Sequence, residues 1–171
     1  VLFCDLGDST GLASQLDPEE WREVVRAYQD TCATVIARYE GHIAQYLGDG
    51  VHVYFGYPAA HEHDVEQAVR AGLAILDAVG SLKATADVPL QASIGIATGL
   101  VVVGEHLGAG DTRQHVAIGE APNLAAQLQA VVAGFDPALI GSRECVDLVG
   151  VFRDLEHAAS AGLALAARRV A

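Results

Sequence analysis

The chain has 171 residues, 51% of them hydrophobic and 19% charged, which is enough for one domain with a real core and too few for a second of any size. Twenty-two acidic side chains against ten basic ones give a formal charge of −12, which argues against a sequence-independent grip on nucleic acid or on an anionic membrane. A phosphate compound handled by such a chain has to be held by metal ions, backbone amides or a few placed bases. Three scattered cysteines, Cys4, Cys32 and Cys145, make neither a disulfide framework nor a zinc site; they read as small core side chains of a reducing, cytoplasmic compartment. No apolar run approaches the roughly 20 residues a membrane helix needs, and no membrane contact is expected of this segment. A strand-like first stretch without a signal pattern, and the lack of any Met, predict a piece excised from a longer protein.

In chain order, residues 1–6 read as a buried strand, and the small residues from Gly7 to Gly11 as a loop. Asp17-Pro18-Glu19-Glu20 starts a helix, with an N-cap candidate, Pro in the first turn and Glu at the third position. Its apolar stripe runs from Trp21 to Tyr39 before Gly41 stops it. Residues 42–47 and 51–57 are two β-prone runs joined around Gly48-Asp49-Gly50, a hairpin signal. Residues 61–79 carry a second apolar helical face, and Pro89 opens a strand through Ser93 to Ala97. Residues 100–103 and 115–118 read as strands flanking a mobile turn at 108–114, followed by a third helix over 121–132. Short strands at 138–141 and 151–155 are expected around a small helix. The first 157 residues form one domain on this reading, and 158–171 an Ala-rich tail that is helical by propensity. The order βαββαβ is that of an α+β, ferredoxin-like domain: an antiparallel sheet with its helices on one face.

Asp5 ends the first strand and Asp49 sits at the tip of the central hairpin, so this topology converges the two carboxylates at one end of the sheet. Paired carboxylates beside a small-residue loop suit two Mg²⁺ ions that bridge phosphates. Asp-Gly in a hairpin is more often only a turn; its combination with Asp5 and the following Gly7, Asp8, Ser9 and Thr10 carries the signal. That loop offers N–H groups and hydroxyls to phosphate oxygens, or is merely a connector. Asn123 and Gln127, four apart on the third helix, project together, either toward a ribose or oxyanion or as a solvated polar edge. His61 and His63 diverge at i, i+2 and read as solvent-facing.

These stretches together resemble the class III adenylate and guanylate cyclase catalytic domain, particularly its bacterial soluble-cyclase-like branch. The matching segments are VLFCDLGDST, AQYLGDGVHVYFGYPAAHEHD, IGIATGLVVVGE and VAIGEAPNLAAQLQA, in the family's order. The resemblance implies a pair of such domains, a homodimer or a heterodimer with another cyclase domain, with composite sites at the interface. It implies two Mg²⁺ or Mn²⁺ ions held by Asp5, Asp49 and the Leu6 carbonyl, residues 7–10 near the phosphates of ATP or GTP, and cyclisation to cyclic nucleotide with loss of pyrophosphate.

The metal half of that pattern is intact and the other half is not. The Lys that reads the purine is replaced by Gln45, its Asp or Thr partner by Val116, the transition-state Arg by Gln127, and a basic residue facing the terminal phosphates by Ser93; the transition-state Asn is present as Asn123. The expectation is a metal-competent, catalytically weakened cyclase domain. The alternatives are an inactive pseudo-cyclase that serves regulation or dimerisation, and a nucleotide-sensing domain.

Overall fold

The computed structural model of this chain describes residues 1–84, 88–107, 113–134, 146–148, 152–153 and 163–169. The elements in order are β1 (Leu2–Leu6), α1 (Ser9–Gln15), α2 (Pro18–Arg38), β2 (His42–Leu47), β3 (Gly50–Tyr54), α3 (Asp64–Val79), β4 (Ala92–Ala97), β5 (Val101–Leu107), β6 (Arg113–Gly119), α4 (Glu120–Ala133), β7 (Val146–Leu148), β8 (Phe152–Arg153) and β9 (Leu163–Arg169). The main sheet runs β2-β3-β1-β4-β9-β7, with β8 also on β9, and every pairing within it is antiparallel. Its first four strands carry the ferredoxin-like order the sequence predicts.

Alternation along the strands divides the sheet into two unlike faces. Leu2, Cys4 and Leu6 of β1, Val51 and Val53 of β3, and Ile94 and Ile96 of β4 point to one side, where they pack with Tyr28, Cys32, Val35 and Ile36 of α2 and Ile75, Leu76 and Val79 of α3. The helix start at Asp17 is as expected: its carboxylate accepts from the Glu19 and Glu20 N–H groups, and Glu20 returns a bond to the Asp17 N–H.

The expectation that all helices lie on one face holds for α2 and α3 and fails for α4. Phe3, Ser93, Gly95 and Ala97 face the other way, and α4 lies on them through Ala121 and Ala125. A Cβ at position 95 would collide with the Ala125 carbonyl and the Gln129 backbone N, so the glycine sets how closely α4 approaches.

Three further expectations need correction. Residues 7–10 are not simply a loop, because Ser9 and Thr10 open the short helix α1 after Asp8 takes a left-handed conformation with φ of 52°. The polar stretch 108–114 ends in strand, since Arg113 and Gln114 already pair in β6. The small helix expected after residue 141 is strand β7 where the structure describes it, and residues 163–169 of the Ala-rich tail form β9 instead of a helix. Helix propensity is a weak prior, and the tail instead pairs with β4 and β7, giving the backbone of β4 the hydrogen bonds its open edge lacks. Residues 138–141 lie outside the described residues, as does Cys145; Cys4 and Cys32 are buried and free. Among the described residues, no helix is long and apolar enough to cross a membrane.

Candidate functional site

Asp5 and Asp49 meet at the end of the sheet where β1 stops and the β2–β3 hairpin turns. Strand register brings them together: Cys4 lies opposite Val51 and Leu47 opposite Gly50, so the hairpin tip falls one residue beyond the Cys4 pairing, beside Asp5. Gly50 abuts the Asp5 carboxylate, and a Cβ there would sit 3.6 Å from Asp5 Oδ1. The Leu6 N–H donates to Asp5 Oδ1 at 3.2 Å, while Gln29 Nε2 on α2 donates to the Gly48 carbonyl at 2.8 Å and holds the turn.

The electrostatics of the pair are unfavourable as they stand. Burial, then the charge of Asp49, then a hydrogen bond shared with its carboxyl, push Asp5 up to about 6 against the opposing pull of the Leu6 N–H. Asp49 Oδ2 is buried with no hydrogen-bond partner. A buried carboxylate oxygen with nothing donating to it costs desolvation energy that a divalent cation would offset, and hard oxygen donors are what Mg²⁺ and Mn²⁺ take. The two carboxylates therefore suit such ions. Among the described residues no cluster gathers three or more His, Cys, Asp or Glu side chains.

A cavity of about 160 Å³ lies beside Asp5 on the α4 face of the sheet, lined by Phe3, Cys4, Asp5, Leu47, Gly50, His52 and Gln129. Two polar pairs stand at it. Gln45 Nε2 lies 3.1 Å from His52 Nδ1, with the His52 ring 3.8 Å from that of Phe3. Ser93, 1% exposed, accepts from Gln129 Nε2 at 2.7 Å, and it pairs across the sheet with Asp5. His52 and Gln129 were not singled out by sequence reasoning. Their only signal there was position: His52 alternates with Val51 and Val53, and Gln129 lies off the Asn123–Gln127 line.

The remaining candidates are placed as follows. Asn123 and Gln127 are both exposed on α4, and Asn123 Nδ2 reaches the Gly119 carbonyl at 3.5 Å, so neither joins the carboxylate pair within this chain. The Gly7 N–H donates to the Gln91 carbonyl at 2.8 Å and is unavailable to a phosphate. Asp8 and Thr10 are exposed and Ser9 is half-buried. Val116 pairs with Gly104 in the β5–β6 ribbon, which is tied to the main sheet where the Ala117 N–H donates to Tyr54 Oη at 2.9 Å. That ribbon and its approach carry exposed apolar side chains, with Leu100 at 95%, Val102 at 69% and Ile118 at 68%. His61 and His63 are exposed, as expected.

The family model for the adenylate and guanylate cyclase catalytic domain matches residues 1–135. Adenylate cyclase 1 of Rhizobium meliloti (strain 1021) is 31% identical over 170 residues, covering 95% of this chain and 25% of that protein. The chain thus spans about a quarter of that relative's length. The guanylyl cyclase Cya2 superposes with a TM-score of 0.72 at 26% identity, covering 99% of this chain and 91% of that one. The catalytic core of a rhodopsin-guanylyl cyclase with converted specificity superposes with a TM-score of 0.73 at 14% identity over 98% of this chain and 94% of that one, which is a likeness of fold.

Proposed function

This chain belongs to the adenylate and guanylate cyclase catalytic domain family, and from that premise we propose that it is a nucleotide cyclase domain, weakened in its chemistry, that binds ATP or GTP through two divalent ions. The observation that carries the proposal is the Asp5–Asp49 pair, whose buried, unpartnered Asp49 Oδ2 and raised Asp5 call for a cation. Asp5, Asp49 and the Leu6 carbonyl would hold Mg²⁺ or Mn²⁺, which when bound supplies positive charge to the triphosphate and to the ribose oxygen. In the net reaction the ribose 3′-oxygen bonds to the α-phosphorus, the bond from that phosphorus to the bridging oxygen breaks, pyrophosphate leaves and the 3′-OH proton is lost.

The residues of this chain contribute unequally to that chemistry. The Gln45 amide stands in for a base as the purine reader. Asn123 and Gln127, exposed on α4, serve a nucleotide seated between this domain and a second cyclase domain. The exposed Leu100, Val102 and Ile118 support such a pairing. Gln127 brings no positive charge to the α-phosphate, and each lost contact of that kind costs roughly 10²–10³ in rate, though losses within one site do not add.

A specific observation favours an inactive, nucleotide-sensing reading. Ser93, where a base would face the terminal phosphates, is buried with its hydroxyl already engaged by Gln129. A cyclase assay with Mn²⁺ and either ATP or GTP separates the two. Slow product formation that rises at least tenfold in the Gln45→Lys/Gln127→Arg double variant supports a weakened enzyme. Tight nucleotide binding without product in either protein supports the sensor.

A further inference from the structure

The β2–β3 hairpin contains a bulge, and its consequence is chemical. Ile43 pairs with Val53, but the next pair is Gln45 with His52, so Ala44 is the extra residue. In an unbroken ladder Gln45 would oppose Val51, whose side chain points into the α2–α3 core. The bulge turns Gln45 to the other face and sets it beside His52, whose ring lines the cavity next to Asp5.

Gln45 Nε2, a donor only, lies 3.1 Å from His52 Nδ1, and the neutral His52 tautomer that carries its ring proton on Nε2 accepts from it there. Half-burial of His52 and the Phe3 ring 3.8 Å away keep the imidazole in place, and burial also favours its neutral form. Among the described residues Gln45 Oε1 takes part in no hydrogen bond. With that tautomer the group of Gln45 left for a ligand is an acceptor. At C6 a purine offers either an amino group, in adenine, or an oxo group, in guanine; the acceptor pairs with the first and repels the second.

We propose that His52 is a positioning residue which, by holding the Gln45 amide with its carbonyl outward, makes this domain choose adenine over guanine nucleotides. The proposal rests on the reading of the Asp5–Asp49 end as a nucleotide site. A purine amide reader left to rotate would serve both bases; fixed by His52, it serves one.

The test is equilibrium titration of the 171-residue chain with Mn²⁺ and either ATP or GTP, with thermal unfolding recorded for each variant. The wild type is expected to bind ATP roughly tenfold more tightly than GTP. His52→Phe keeps a ring against Phe3 and removes the acceptor; it should bring the ratio close to one, mainly through gained GTP affinity. His52→Asn offers both a donor and an acceptor at the δ position, leaves the Gln45 amide free to turn over, and should also bring the ratio close to one. An Asp5→Asn control that abolishes binding of both nucleotides supports the underlying site. If Asp5→Asn abolishes binding while the ratio is already near one, or does not respond to His52→Phe, the His52 role is overturned and the site stands. If neither nucleotide binds, or binding ignores Asp5→Asn, the nucleotide site itself falls and the preference with it.

Discussion

The two faces of the sheet divide the labour of the molecule. On the α2–α3 face the fully buried strand residues are aliphatic or Cys, the helices fill the space with Tyr28, Ile36 and Ile75, and among the described residues no charged side chain is buried there. On the α4 face the apolar part shrinks to Ala97, Ala121 and Ala125 with Phe3 and Leu124 beside them, and the polar Asp5, His52, Ser93 and Gln129 occupy the rest. Close packing against small residues brings α4 near enough for Gln129 to reach Ser93, while the larger core behind stabilises a face that contributes little stability of its own.

Three substitutions test that division, in decreasing order of effect on stability. Ile36→Ala, in the fully buried face, should cost about 2–5 kcal/mol in urea unfolding and leave the ratio of nucleotide affinities unchanged in the folded fraction. Gln129→Ala, on the α4 face, leaves the buried Ser93 hydroxyl without its donor and should cost about 1–3 kcal/mol. A loss as large as that of Ile36→Ala would mean that the α4 face is as much a core as the other.

Asp5→Asn should move stability the other way. Because the folded pKa is raised to about 6 from 3.8, the folded chain binds more protons than the unfolded one between those values. Stability without metal therefore falls as pH rises from about 4 through 6 and is regained on acidification. Removing the charge should stabilise the metal-free protein at pH 7 by ~1 kcal/mol, a figure discounted for the solvent exposure of a half-buried group, and should flatten that pH dependence. Mn²⁺ should stabilise the wild type and not the variant. Equal stabilisation of both by Mn²⁺ would separate Asp5 from any cation.

Where the sequence was legible, one local rule decided the outcome. Asp17-Pro18 with Glu20 can do little but cap a helix, and the Gly48-Asp49-Gly50 turn between two β-prone runs can do little but fold back. The strand order that joins Asp5 to Asp49 followed from those elements. What was not legible depended on partners distant in the chain. Residues 163–169 are strand because β4 has an edge to fill, which no count of alanines reveals. The position of α4 on the second face depends on Gly95 meeting a helix thirty residues away. The bulge at Ala44 leaves no mark in an alternation that reads equally well without it, and so His52 and its hold on Gln45 went unseen. The helix α1 was missed because Ser9, Thr10 and Gly11 are poor helix formers; its start is fixed instead by the backbone of Asp8.

The place of β9 also dictates a timetable. Residues 163–169, made well after β1, β3 and β4, lie inside the sheet between β4 and β7, so every nascent chain passes through a stage in which those three strands are complete and one edge of β4 is bare. The sheet closes only by pairing residues some seventy positions apart, the slow kind of contact, which gives the β4 edge its longest exposure while the chain is still being made.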